Sequence, residues 1–243
     1  MSQQRGYRRG YAVALLVGLQ EDRAVLWKVF SHVVKPEATI VLGDSRSSVK
    51  AVYNFHEQVV NALRPSFKEG VGSIVVASPP RTDYGEKFMQ HIKGHHAWLV
   101  QGVGKSAIAQ LTGAATTKSE VTVLTRDPAF RRIIESTTAE ETENLLDLLE
   151  KRLNVPGGEG LVLYSLEEVE VAVLTPWKPG KPKPEYLLAT DRFLSASRFR
   201  GRLQRLMQIA SNKGVKARVV AAESPAGKRL TQLGGIVCLQ RRE

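Results

Sequence analysis

The feature that most restricts this chain's fold is an alternation of short β-rich runs with capped helical segments, which points to helices laid over mixed sheets. Tyr11–Val17 and Arg23–Phe30 are β-rich and flank Gly18–Asp22, which predicts a hairpin; Val25, Trp27 and Val29 alternate as one buried face requires. Thr39–Leu42 is another extended run, ending at Gly43-Asp44. From Ser47 the period turns helical, with Val49, Tyr53, His56, Val60 and Leu63 on one stripe until Pro65 ends it. Ser73–Ser78 reads as a buried strand stopped by Pro79-Pro80, followed by a helix near Tyr84–Ile92 and a strand over Ala97–Val100. Asp127-Pro128 marks a helix start, Asp as N-cap and Pro at the first helical position.

A second unit is expected to begin near residue 136. Thr138 and Glu141 are spaced as a capping box for a helix carrying Leu145, Leu148, Leu149 and Leu153, closed by Pro156-Gly157-Gly158. Leu161–Tyr164 then reads as a strand, and Ser165 with Glu168 caps the next helix. Strand Tyr186–Thr190, long helix Ser195–Asn212 ended by Gly214, strand Ala217–Ala221, helix Ala226–Leu233 and strand Ile236–Gln240 complete a compact α/β/α pattern. The expected organisation is α/β in two domains, 11–135 and 136–243, behind a basic flexible arm at 1–10. A chain of 243 residues is long enough for two such cores.

The net charge of +11 is unevenly placed. Residues 1–175 hold 20 Lys/Arg and 20 Asp/Glu, whereas residues 176–243 hold 15 Lys/Arg against 4 Asp/Glu, so the last 68 residues carry the surplus. Because that region is patterned to fold, its charge must be displayed on a surface, where it suits a polyanion. No lipid-anchor motif or strongly amphipathic terminal helix accompanies it, which favours nucleic acid over membrane. The lone cysteine, Cys238, fits a reducing compartment and a cytoplasmic setting. Arg5, Arg8 and Arg9 before Tyr11–Leu19 resemble a signal peptide, but Gln20-Glu21-Asp22-Arg23 offers no small-residue cleavage site, so the run is read as a first strand.

On the long helix, Arg198, Arg202 and Arg205 fall at i, i+4 and i+7, opposite Phe199, Leu203, Leu206 and Ala210. One face packs, and the other presents guanidinium forks suited to phosphates; Ser195–Asn212 contains no acid. In the Pro-rich loop Thr175–Pro184, Lys178, Lys181 and Lys183 can oppose phosphates. Trp177 there either offers a stacking face or folds back onto the domain. Arg5, Arg8 and Arg9 with Tyr7 have the composition of an arm that orders on RNA. Gln101–Ser106 is similar to a phosphate loop but has Leu99 where the first glycine is required; it reads as a turn into a helix, with Lys105 able to touch a phosphate. His91, His95 and His96 could place two ligands on one helical face, but Gly94 interrupts it and no Cys or acid completes the set, which favours surface or packing histidines, so no metal and no cofactor is expected.

Phe55-His56-Glu57-Gln58-Val59-Val60-Asn61-Ala62-Leu63, Ile74-Val75-Val76-Ala77-Ser78-Pro79 and the ending Gly227–Ile236 resemble the Pelota family of ribosome-rescue factors, relatives of archaeal and eukaryotic class I peptide-release factors. Ser165–Val169 and Leu187–Asp191 fall in the family's order between these anchors, so the resemblance spans about 11–243. It implies an RNase H-like central-type domain over 11–135, and over 136–243 a C-terminal domain of the kink-turn-binding ribosomal protein type, with an insertion at 175–185. The family's Sm-like N-terminal domain has no counterpart in the chain.

Release factors carry a Gly-Gly-Gln loop, yet the only Gly-Gly pairs here are Gly157-Gly158-Glu159 and Gly234-Gly235-Ile236, and the matching segment Gly43–Ser48 lacks Gln. An RNase H-like nuclease needs strand carboxylates for two metal ions, and Tyr11–Val17 has none. Family members recruit an elongation-factor-like GTPase through a Pro-Gly-Phe motif and a basic loop; the matching places read Pro79-Pro80-Arg81 and a loop with only Arg46. The resemblance also puts Arg46, Lys228 and Arg229 in loops where the family meets partners. The expectation is a cytoplasmic, non-catalytic factor binding rRNA or tRNA on the ribosome in rescue, splitting or hibernation. Alternatives are an enzyme cleaving peptidyl-tRNA and a free-standing structured-RNA binder.

Overall fold

The computed structural model describes residues 10–102, 105–156, 158, 160–196 and 200–241, which form two compact units. The first comprises residues 1–66 and 72–141, the second 67–71 and 142–243.

In the first unit, β1 (Ala12–Leu19), β2 (Arg23–Phe30) and β3 (Val34–Val41) form an antiparallel meander. Helix α1 (Val49–Lys68) then leads to β4 (Ser73–Ser78). Helices α2 (Tyr84–His95) and α3 (Ala97–Val100) precede β5 (Ala107–Thr112). The sheet order is β3-β2-β1-β4-β5, with β4 parallel to β1 and β5 parallel to β4. Three antiparallel strands followed by two parallel ones give the RNase H-like arrangement.

From Ala14 onward β1 is buried at every position, as a central strand covered on both faces must be. Ala14, Leu16, Val25, Trp27, Val75 and Ala77 form one core layer with Phe130 and Ile134. The indole N–H of Trp27 donates to the Ala115 carbonyl at 2.7 Å, and that loop runs so close to β1 that a Cβ on Gly18 would lie 2.0 Å from the Ala115 oxygen. Only glycine fits there.

Three expectations fail in this unit for identifiable reasons. Ala97–Val100 is helical: the His96 and Gln101 amides bond back to the Ile92 and Ala97 carbonyls at 2.8 Å each, while Ala107–Thr112 takes the strand position beside β4. Gln101–Ser106 accordingly leads into β5, not into a helix. Pro65 sits inside the last turn of α1 without ending it.

The Thr117–Glu120 capping box starts α4 (Lys118–Leu124), a helix too short for its period to show in the sequence. Helix α5 (Pro128–Leu153) begins as expected, with Asp127 accepting from the Ala129 amide at 2.8 Å, but runs through the Thr138–Glu141 box. Thr137 donates back to the Ile133 carbonyl at 2.7 Å, a bond that lets threonine stay inside a helix. Glu141 instead accepts from the Gly72 amide at 2.8 Å and from the Ser73 hydroxyl.

The second unit adds β6 (Val162–Leu163), α6 (Leu166–Leu174), β7 (Lys183–Thr190), α7 (Asp191–Ala196), α8 (Arg200–Asn212), β8 (Lys216–Val220), α9 (Pro225–Gln232) and β9 (Ile236–Arg241). Its sheet order is β6-β9-β7-β8, antiparallel except for β7 beside β8. Strand alternation feeds two cores: Leu188, Val237 and Leu239 pack with Leu145, Leu149 and Leu230, while Leu187, Ala189 and Cys238 pack with Val169, Leu203 and Leu206. The result is the expected α/β/α layering.

Ser165 and Ser224 cap α6 and α9, each hydroxyl accepting from an amide three residues on. The single helix expected over Ser195–Asn212 is represented by α7 and α8, with 197–199 outside the described residues. Among the described residues no helix is long and apolar enough to cross a membrane.

Candidate nucleic-acid interface

Four cations of the second unit stand near the sheet end where β7 begins and β9 finishes. Helix α6 ends at Leu174, and Lys213 seals it, its ammonium donating to the carbonyls of Val173 at 2.7 Å and of Leu174 and Thr175 at 3.2 Å. A cation at the negative end of a helix is favourably placed. The loop then turns back: the Trp177 indole N–H donates to the Ala172 carbonyl at 3.0 Å and its ring joins the core containing Val173 and Leu206. Lys213 Nζ lies 5.5 Å from the centre of that ring. Of the two sequence-stated roles for Trp177, the structure takes the docked one.

Beyond Trp177 a groove of about 190 Å³ is lined by Lys183, Pro184, Glu185, Lys213, Lys216 and Arg241. Lys183 and Arg241 are cross-strand partners on β7 and β9. This register sets two cations side by side at the sheet end. Lys216 donates to the Tyr186 hydroxyl at 3.0 Å and lies over that ring. The groove's carboxylate, Glu185, accepts from Arg152. Lys183 and Trp177 are thus brought together with Lys213, Lys216 and Arg241, which the sequence reading missed. Lys213 and Arg241 stand at element ends 28 residues apart, and only strand pairing makes them neighbours.

The other sequence-stated candidates are distributed as follows. On α8, Arg202 is paired with Glu170 of α6, which lies largely buried beneath it, and that bond raises the guanidinium's pKa further. The acid-free stretch Ser195–Asn212 therefore receives its acid from a neighbouring helix, a fact no reading along one helix can reach. Arg205, one turn on, is exposed. Lys178 and Lys181 are exposed on the turn before the groove, and Lys228 is exposed on α9. Arg229 donates to Glu150 at 2.7 Å. Lys105 is half-buried at the entrance to β5. Arg46 is drawn inward, donating to the carbonyls of Glu21 at 2.8 Å and of Gln20, with its guanidinium 4.2 Å from the Tyr84 ring centre. Arg5, Arg8, Arg9 and Arg198 lie outside the described residues.

The first unit holds a different cluster. Glu57 Oε1 of α1 lies 3.0 Å from Nε2 of His91 and 2.8 Å from Nε2 of His96. Among the described residues these three form the one group of His, Cys, Asp or Glu side chains close enough to share a metal ion. The sequence reading found no acid to complete a set with the histidines, whereas Glu57, 34 residues before His91, stands beside them. Burial lowers the pKa of His91, and it lowers that of the neighbouring His56 to about 4, so His56 is neutral at physiological pH.

No protein-family model matches the chain. It is 26% identical over 216 residues to a Pelota homolog of Methanococcoides burtonii, covering 88% of this chain and 55% of that protein. The Methanocaldococcus jannaschii Pelota homolog is 25% identical over 233 residues, covering 93% and 60%. Against the Pyrococcus furiosus homolog the identity is 27% over 187 residues, covering 77% and 48%. The chain thus spans about half the length of the curated relatives it matches. Its fold matches that of Saccharomyces cerevisiae Dom34, with a TM-score of 0.50 and 21% identity over 95% of this chain and 62% of that one. It also matches the archaeal Pelota of a ribosome-bound assembly with ABCE1, with a TM-score of 0.52 and 23% identity over 94% and 61%. In sequence the chain is thus similar to Pelota homologs, and in fold to the corresponding part of Dom34 and archaeal Pelota.

Proposed function

We propose that this chain is a non-catalytic, cytoplasmic factor that binds ribosomal or transfer RNA on the ribosome and acts by occupying its site, in rescue, splitting or hibernation. The observation that carries this reading is the like-charge pair Lys183 and Arg241, set opposite each other on adjacent strands and flanked by Lys213 and Lys216. A phosphate backbone laid along such a group of cations gains from counterion release. Arg205 and the Lys178–Lys181 turn extend the same chemistry over the unit's surface.

Similar proteins support the ribosomal setting: the archaeal Pelota above is ribosome-bound together with ABCE1, and Dom34 is described as a translation termination-like factor in RNA quality control that interacts with Hbs1. An elongation-factor-like GTPase partner has less behind it in this chain, because Pro79-Pro80-Arg81 replaces the recruiting motif and Arg46 is turned onto its own backbone. Catalysis has no support either, since Gly43–Ser48 lacks Gln and neither β1 nor β4 carries a carboxylate.

Sucrose-gradient sedimentation with ribosomes tests the proposal. The protein is expected in the ribosomal fractions at low salt, and the Lys183→Ala/Lys216→Ala/Arg241→Ala variant in the light ones. A wild-type protein confined to light fractions overturns the ribosomal reading. Peptidyl-tRNA cleavage by the purified chain overturns the non-catalytic one.

A further inference from the structure

We propose that Glu57, His91 and His96 form a binding site for one divalent transition-metal ion of the zinc class, independent of the basic surface of the second unit. Two imidazole nitrogens and one carboxylate oxygen are a donor set that zinc accepts, leaving a position for water. The three ligand atoms all lie within 4.8 Å of one another. An ion holding them tetrahedrally at about 2.0–2.1 Å spaces them roughly 3.4 Å apart. The two nitrogen–oxygen separations, 3.0 and 2.8 Å, need to open by only a few tenths of an ångström.

The fold presets this arrangement. Glu57 is fixed in the middle of α1 between buried Phe55 and Val59. His91 lies on the buried face of α2, and His96 is the residue at which α2 stops and α3 starts. Both histidines are more than nine-tenths buried, while the Glu57 side chain keeps 29% of its surface exposed, so the open coordination position faces solvent through the carboxylate. The ion takes the place of the ring protons that the two Nε2 atoms now share with Glu57.

The surroundings supply an outer shell. The His91 ring stands 5.0 Å from Tyr53 and 5.1 Å from His56, centre to centre. His56 is 2% exposed, and its Nε2 has no hydrogen-bond partner, the kind of buried atom a metal-bound water would satisfy. Imidazole ligands disfavour hard cations, so magnesium and calcium are excluded by the donor set.

The test uses the full chain without a histidine tag, stripped with a chelator and titrated with zinc by calorimetry. Cobalt serves as a spectroscopic stand-in, its absorption reporting a tetrahedral nitrogen and oxygen site. One zinc ion per chain is expected, with a zinc-dependent rise in melting temperature and no response to magnesium. Because removal of even an outer-shell partner weakens a metal site by about 10–100-fold, His96→Ala and Glu57→Gln should each lose at least that much. His95→Ala, at an exposed neighbour outside the set, should bind as the wild type does. Glu57→Gln stands in if His96→Ala does not fold, since it retains a hydrogen-bonding side chain. Absence of binding in the folded wild type overturns the proposal, as does zinc affinity unchanged in a folded Glu57→Gln variant.

Discussion

Glu57 and Glu185 are both carboxylates set among basic groups, one in each unit, and they are used in opposite ways. Glu57 draws His91 and His96 onto a single oxygen, so the positive or potentially positive groups around it are gathered inward. Glu185 pairs with Arg152 in a groove also lined by Lys183, Lys213, Lys216 and Arg241. The same contrast recurs elsewhere. In the first unit Arg46 bonds backbone carbonyls, Glu141 holds Gly72 and Ser73, and buried Lys28 sits 3.7 Å from Glu37. In the first unit these charges hold the chain together, whereas in the second a set of cations lines a groove.

This contrast can be broken by experiment. The largest effect on stability is expected from Glu141→Ala, which leaves the Gly72 amide and Ser73 hydroxyl without their acceptor. The cost should be about 2–3 kcal/mol in denaturant unfolding, and an undisturbed midpoint would deny the inward use of charge.

For the groove the expectation is reversed. Lys183→Ala/Lys216→Ala/Arg241→Ala should leave the fold intact but weaken binding to structured RNA by about tenfold or more at low salt. It should also flatten the slope of log affinity against log salt by roughly two to three. An unchanged slope would place the RNA elsewhere.

Arg205→Ala sharpens the picture further, with an expected change in that slope of about one. Its partner on the same face, Arg202, already has Glu170, so Arg202→Ala should alter the slope less. The smallest effect belongs to Cys238, whose thiol is pushed up to about 12 by burial. Native protein at pH 8 should resist iodoacetamide while denatured protein reacts, as read by mass spectrometry.

The parts of this fold that were legible in the sequence are those governed by local chemistry. Ser165 with Glu168 and Asp127 with Pro128 satisfy backbone groups within a few residues and appear as expected, as does the first hairpin, though Gly18 and Leu19 belong to its strand. Ambiguity arose where a local signal had a distant competitor. Thr138 and Glu141 have capping-box spacing, but Glu141 finds the Gly72 amide instead, and the helix runs on. Ala97–Val100 is as apolar as a strand, yet a parallel sheet had room for only one segment beside β4, and Ala107–Thr112 took it. Arg198–Arg205 looked acid-free because its acid lies on another helix.

By itself the sequence determined the two-unit α/β plan, the helix starts, the Pelota resemblance and the concentration of positive charge in the last 68 residues, because periodicity, capping and composition act over short stretches. Tertiary structure alone decided which charges meet. It set Lys183 opposite Arg241 through strand register, docked Trp177 onto its own core, and carried Glu57 across 34 residues to His91. Electrostatic partnership depends on separation in space, and folding brings side chains far apart along the chain to within a few ångströms.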